Sequence, residues 1–338
     1  MVDNELEEYV NMYSTEVYNS FPNLFKYLNY ILVQAGYMED IREYNQQYIL
    51  DEHSYENKID INCLLNMCIE VLDTIDPCLK DKFILYLNNG TIEFNDDEDS
   101  ISSTQNDNNN LSITIKRNYN VEDILVTIHE FFHAIHLEKY NLEFTDDWYL
   151  ITEMIAITGE LYTLFYLMDK EFCTTDLEIY LNKLMGSVFM HNYVTLENGI
   201  FIDLYDKMQA INNDSLDEYI VMNNLPESYN ELLTDDDESA DTAEFEYHLS
   251  ATYSLAFPLS ILLSRRLLLD DQYKKTYMRV LNNIYMYDIP TIFDKLGITE
   301  YLNNDDKLFE LMNFINRYLT KKFTKEKVNI KDKKELWW

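Results

Sequence analysis

Two of the six histidines fall in the run His129-Glu130-Phe131-Phe132-His133. On a helix His129 and His133 stand one turn apart, about 6 Å along the axis and roughly 40° around it, so both imidazoles can reach one metal ion. Glu130 then sits beside them, free to take a proton from a water that the metal holds. In a chain of 338 residues with 6 His, chance supplies only about 0.01 such H-E-x-x-H matches, so the pattern is informative.

A catalytic zinc needs a third protein ligand. His136 shares the helical face of His129 and His133, but seven residues span about 10.5 Å of axis, whereas donors on one ion stand no more than about 4 Å apart. His136 is therefore read as a supporting or surface residue. A better candidate lies in ITEMIAITGELYTLFYLM, residues 151 to 168, whose charged residues are Glu153 and Glu160 alone. A lone buried carboxylate costs several kcal/mol, so each needs a cation, a metal or an imidazole N–H beside it. Seven apart, the two share a face. We read Glu153 as the third ligand and Glu160 as the outer acceptor that fixes a liganding histidine's tautomer.

These residues require helices to carry them, and the composition supplies them. The chain has only 6 Gly and 5 Pro, too few for the turns and phosphate loops of sandwiches, barrels or nucleotide-binding α/β folds. The expected fold is mostly α, with a small β-sheet before the H-E-x-x-H helix. Apolar residues recur at three and four in Tyr18 to Gln34 and in Asp60 to Asp73, which predicts helices there. Three short strands are expected at FILYL (83 to 87), TIEF (91 to 94) and SITI (112 to 115). The polar run from Asn95 to Asn110 between the last two reads as a flexible loop. From Val121 to Tyr318 the pattern is one of successive helices, interrupted by an acidic run from Asp235 to Glu246.

Acids outnumber bases 61 to 26, for a formal charge of −35. Such a field repels nucleic-acid phosphates and anionic membrane surfaces, which argues against both as partners. No apolar run approaches the 18 or so residues needed to span a bilayer. Cys63, Cys68, Cys78 and Cys173 form no CxxC pair and no regular framework, which fits a reducing compartment and an expected cytoplasmic location. The last eighteen residues are basic, with seven lysines against three acids. The organisation expected is one catalytic domain over 1–320, with 1–110 a partial N-terminal lobe and 121–318 the zinc-site helices, followed by a basic tail over 321–338.

The segment HEFFHAIH and the helix Glu153-Met-Ile-Ala-Ile-Thr-Gly-Glu160 together resemble the thimet oligopeptidase and oligopeptidase F family of zinc metallopeptidases. The match is to that family's H-E-x-G-H-x-x-H and E-x-x-S-x-x-x-E patterns. Two further segments are similar, Tyr247-His248-Leu249-Ser250-Ala251-Thr252-Tyr253 and DIPTIFDKLGIT, residues 288 to 299. The resemblance implies a peptidase that cuts internal bonds of short or unstructured peptides. His129, His133 and Glu153 would hold Zn2+, Glu130 would activate water, and His248 and Tyr253 would stabilise the oxyanion. Three departures stand out. Phe132 replaces the family's glycine and is expected to narrow the cleft. Phe257 and Ser260 fall near positions where relatives carry further tyrosines. The chain is also shorter than typical members, which implies that part of the N-terminal lobe roofing the channel is missing. Phe132 and the missing tyrosines motivate an alternative, a catalytically weakened zinc-retaining peptide-binding protein of the same fold.

Overall fold

The computed structural model describes residues 55–97, 100–107, 110–139, 146–181 and 237–302, with isolated positions between 183 and 191 and at 304 and 307. The helix expected at Tyr18 to Gln34 and the basic tail lie outside the described residues.

The chain enters through α1 (Ile61–Ile75) and α2 (Pro77–Asn88). Each begins on an aspartate whose side chain accepts a backbone N–H of the first turn, Asp60 from Cys63 and Asp76 from Cys78, both at 2.8 Å. Pro77 occupies the first helical turn, where its missing N–H costs nothing. This start signal explains why FILYL is helical and not a strand. Leu79, Phe83 and Tyr86 are buried in α2, a spacing of four and three that belongs to a helix, and it outweighs the local run of strand-forming residues.

Three strands follow, β1 (Ile92–Asn95), β2 (Ser103–Asp107) and β3 (Asn110–Lys116). Their order is β1-β3-β2, with β1 parallel to β3 and β2 antiparallel to it. Strands β1 and β3 fall where the sequence predicts them. Strand β2 corrects the reading of Asn95 to Asn110 as a flexible loop. Its residues STQND bury little apolar surface, and the ladder to β3 together with two side-chain anchors onto the next helix holds them. Thr104 Oγ1 donates to the Glu130 carbonyl at 2.9 Å, and Asn106 Nδ2 to the Leu137 carbonyl at 3.0 Å. On β3, Ile113 and Ile115 are buried, and that strand packs against the helix that follows.

That helix is α3 (Glu122–Lys139), and it carries the H-E-x-x-H run. Its start is fastened by Asp123, which accepts the N–H groups of Asn118 and Tyr119 at 2.8 and 2.9 Å and pairs with Arg117 Nε at 2.7 Å. Both partners of this ion pair are buried, so each charge is matched and hydrogen-bonded. Helix α4 (Asp146–Asp169) is next in the described order and buries Glu153 and Glu160 among mostly apolar side chains. It packs between α3 and α5 (Asp237–Leu269). Its stretch from Tyr149 to Asp169 corrects the expectation that no apolar run approaches bilayer-spanning length, since it is long and apolar enough by composition, but 89% of the relevant window is buried within the protein, as expected of a central core helix. The acidic residues from Asp237 onward belong to the first turns of α5 and do not interrupt the helices. Helices α6 (Asp271–Asn282), α7 (Ile289–Lys295) and α8 (Thr299–Leu302) close the described chain.

Phe132 is fully buried and does not narrow the cleft. Its ring occupies the α3–α4 interface opposite Gly159, where an added Cβ would meet Phe132 Cδ2 at 2.3 Å and Cε2 at 2.5 Å. Bulk on one helix is matched by a missing side chain on the other. Gly159→Ala should therefore destabilise the protein by about 1–3 kcal/mol through overpacking. In a Phe132→Leu background the same change should cost much less. Urea denaturation of the four proteins checks this, and equal losses in both backgrounds would contradict the packing described.

Candidate metal centre

Helices α3 and α4 cross so that His129, His133 and Glu153 converge, with one ligand atom of each within 4.8 Å of the others. The Nε2 atoms of His129 and His133 are 3.0 Å apart. Glu153 Oε2 lies 3.9 Å from His129 Nε2, and Glu153 Oε1 lies 3.6 Å from His133 Nε2. Donors placed tetrahedrally 2.0–2.2 Å from one ion stand about 3.3–3.6 Å from each other, so these separations need only small adjustments to surround zinc.

Outer contacts set the ligand states. Glu160 Oε2 accepts from His129 Nδ1 at 2.7 Å, and Glu160 Oε1 accepts from the Tyr180 hydroxyl at 2.9 Å. With its Nδ1 proton engaged, His129 presents a bare Nε2 to the centre whenever it is neutral. His133 is held neutral: burial pushes its pKa well below the usual histidine value, and the neighbouring His129 and His136 push the same way. Burial raises the Glu153 carboxyl to about 7, with the charges of Glu130 and Glu160 adding to the rise and His129 opposing it. For His129 burial works against the charged form, but the hydrogen bond and charge of Glu160 prevail, helped by Glu153 and Glu130, and its pKa rises to about 9.

These shifts share one origin. Three carboxylates and two imidazoles are packed into an apolar interface, and the negative groups exceed any positive charge the histidines can carry. Glu153 Oε2 is buried without a hydrogen-bond partner, a costly state for a carboxylate oxygen and one that a cation would relieve. The donor set, the spacing and the orphaned oxygen all fit a zinc ion. His136 is fully buried in α3, so it is not a surface residue, and its position seven residues past His129 keeps it out of the three-donor cluster.

Glu130 is also buried, and its Oε2 accepts from Thr104 Oγ1 at 2.8 Å. The edge strand thus holds the side chain beside the candidate ligands, and Glu130 acts electrostatically on both His129 and Glu153. Tyr253, on α5, reaches the same region: its hydroxyl is 3.1 Å from that of Tyr149 on α4. Burial, then the charges of Glu153 and Tyr149, keep the Tyr253 phenol protonated far above neutrality. His248 lies in α5 five residues before Tyr253, about 140° away around a continuous helix, and its side chain is outside the described residues. His191 is stacked on Tyr253, ring centroids 4.6 Å apart. Phe257 and Ser260 are buried, and Ser260 donates to the carbonyls of Met154 and Ala256.

Four residues at the centre are absent from the sequence reading: Thr104, Tyr149, Tyr180 and His191. Tyr149 had a signal, since it precedes Glu153 by four on one helix and must share its face. Thr104 is hidden in a polar run, and Tyr180 and His191 arrive by tertiary packing with no spacing that announces them.

The geometry predicts that His133→Ala and Glu153→Ala each abolish stoichiometric zinc, whereas His136→Ala retains it. Metal analysis after gel filtration measures this. Full zinc in Glu153→Ala would remove that residue from the ligand set.

Compared by sequence, the chain matches no protein-family profile and no curated protein. Compared by structure, it is similar to a Bacillus anthracis protein assigned as an oligoendopeptidase F, at 16% identity and a TM-score of 0.60 over 93% of this chain and 59% of the other. A second protein assigned as an oligoendopeptidase F aligns at 14% identity and 0.56 over 88% of this chain and 58% of its own. PZ peptidase A, solved with an inhibitor, aligns at 13% identity and 0.54 over 88% and 58%. The chain therefore spans under two thirds of the length of these structures, and what it shares with them at such identities is their mostly helical fold with its small sheet.

Proposed function

We propose that the chain is a zinc-dependent peptidase that hydrolyses internal bonds of short or unstructured peptides. The observation that carries this reading is the convergence of His129, His133 and Glu153 from two adjacent helices, with Glu130 buried beside them. The fold likeness to proteins assigned as oligoendopeptidases supports it. When bound at those three residues, zinc supplies Lewis acidity to a peptide carbonyl and acidifies a water nucleophile.

The protein's own groups do the rest. Glu130 takes the proton from the attacking water and returns it to the leaving amine nitrogen, a transfer that needs a positioned carboxylate within hydrogen-bond reach. Thr104 keeps that carboxylate from rotating away. Glu160, itself fixed by Tyr180, holds His129 in one tautomer. Tyr253, protonated and near Glu153, would donate to the carbonyl oxygen as negative charge develops on it. His248 is assigned the same role from sequence similarity. The reading also places the protein in a reducing, cytoplasmic setting, where its free cysteines are stable.

The peptide-binding alternative loses one support, since the Phe132 ring is packed between helices. Glu130→Gln is the decisive substitution, because the amide preserves shape but accepts no proton. It should retain one zinc per chain and lose peptide cleavage by about 10³-fold or more, on the scale of removing an essential proton-transfer group. A quenched-fluorescence peptide assay with and without chelator reads the outcome. Cleavage near wild-type levels would exclude Glu130 as the base.

A further inference from the structure

The Tyr149–Tyr253 pair stands beside the metal centre with a geometry that the proposed chemistry does not by itself require. The two hydroxyl oxygens are 3.1 Å apart. The two rings meet edge to face, centroids 6.3 Å apart at 87°. Tyr253 is also stacked with His191, centroids 4.6 Å apart at 20°. The Tyr253 ring thus contacts both Tyr149 and His191, and its hydroxyl meets the Tyr149 hydroxyl with Glu153 close by. Tyr149 is on the helix that carries Glu153, one turn before it, so any movement of Tyr149 is tied to that of the ligand helix.

We infer that Tyr149 is a positioning residue for Tyr253, locking the Tyr253 hydroxyl where it can donate to the oxygen of a bound peptide carbonyl. This rests on the function proposed above. Two phenols carry two protons, and only one can lie on the line between the oxygens. With Tyr149 donating along that line, the Tyr253 proton is the one directed elsewhere, and Glu153 is the charged neighbour that both phenols face. A hydroxyl free to rotate would spend its proton on water or on Glu153. A hydroxyl held by a second phenol is restricted to one arc, and orientation paid before the reaction is lost from the barrier. The arrangement places two phenols at the centre although Phe257 and Ser260 face the core.

The test is a double-mutant cycle of Tyr149→Phe and Tyr253→Phe on the zinc-loaded protein, each change removing one hydroxyl and keeping its ring. Peptide cleavage is measured alongside calorimetric binding of a phosphinic pseudopeptide, whose tetrahedral phosphorus acid mimics the charged oxygen. Tyr149→Phe should lower kcat on the order of 10- to 100-fold with KM within about two-fold. It should weaken phosphinic binding by the same factor and leave zinc stoichiometry unchanged. Added to Tyr253→Phe it should change nothing further, because Tyr149 acts through Tyr253. Wild-type behaviour of Tyr149→Phe, multiplicative effects in the double variant, or loss of zinc from Tyr149→Phe would each overturn the assignment. Wild-type protein that binds zinc but neither cleaves peptides nor binds the phosphinic compound would overturn the proposed function, and this inference with it. An inert Tyr149→Phe in an active enzyme would overturn this inference alone.

Discussion

Negative charge buried between two helices is the constraint on which the rest of the site depends. Glu130, Glu153 and Glu160 are all buried, and the Glu153 Oε2 atom has no hydrogen-bond partner. Carboxylates taken out of water cost several kcal/mol each unless matched. The protein supplies part of the match itself, through Tyr180 and His129 on Glu160 and Thr104 on Glu130. It leaves Glu153 and the facing Nε2 atoms of His129 and His133 open toward one point. A divalent cation at that point settles all three groups at once, so metal binding and the integrity of the α3–α4 interface are coupled.

The scaffold around this point is built to resist adjustment. Helix α3 is fastened at its start by the buried Arg117–Asp123 pair, along its length by the edge strand β2, and across its face by Phe132 set against Gly159. Helix α4 is enclosed by α3 and α5. Side chains mounted on such elements are held at fixed separations, which favours geometry over raw affinity in deciding what could bind.

Much of this centre was legible in the sequence because its parts are local. His129, Glu130 and His133 fall within five residues, and a helix dictates their common face. Glu153 and Glu160 announce themselves as the charges in an otherwise apolar stretch. What escaped is what depends on pairs brought together by folding. Phe132 read alone suggests a narrowed cleft, and only its contact with Gly159, 27 positions away, shows where the ring goes. Strand β2 escaped because its order comes from a ladder and from anchors to α3, neither of which leaves a hydrophobic trace. The stretch at 83 to 87 was misread as a strand because strand-forming residues outweighed the Asp76-Pro77 helix start.

The proposed centre puts a single zinc between two imidazoles and one carboxylate of this chain. X-ray absorption at the zinc edge of the purified protein measures that directly. The predicted result is one zinc per chain with nitrogen and oxygen neighbours at about 2.0–2.2 Å, outer-ring scattering from two imidazoles, and no sulfur. A sulfur shell at about 2.3 Å, or a protein that holds no stoichiometric metal when purified and reloaded, would contradict it.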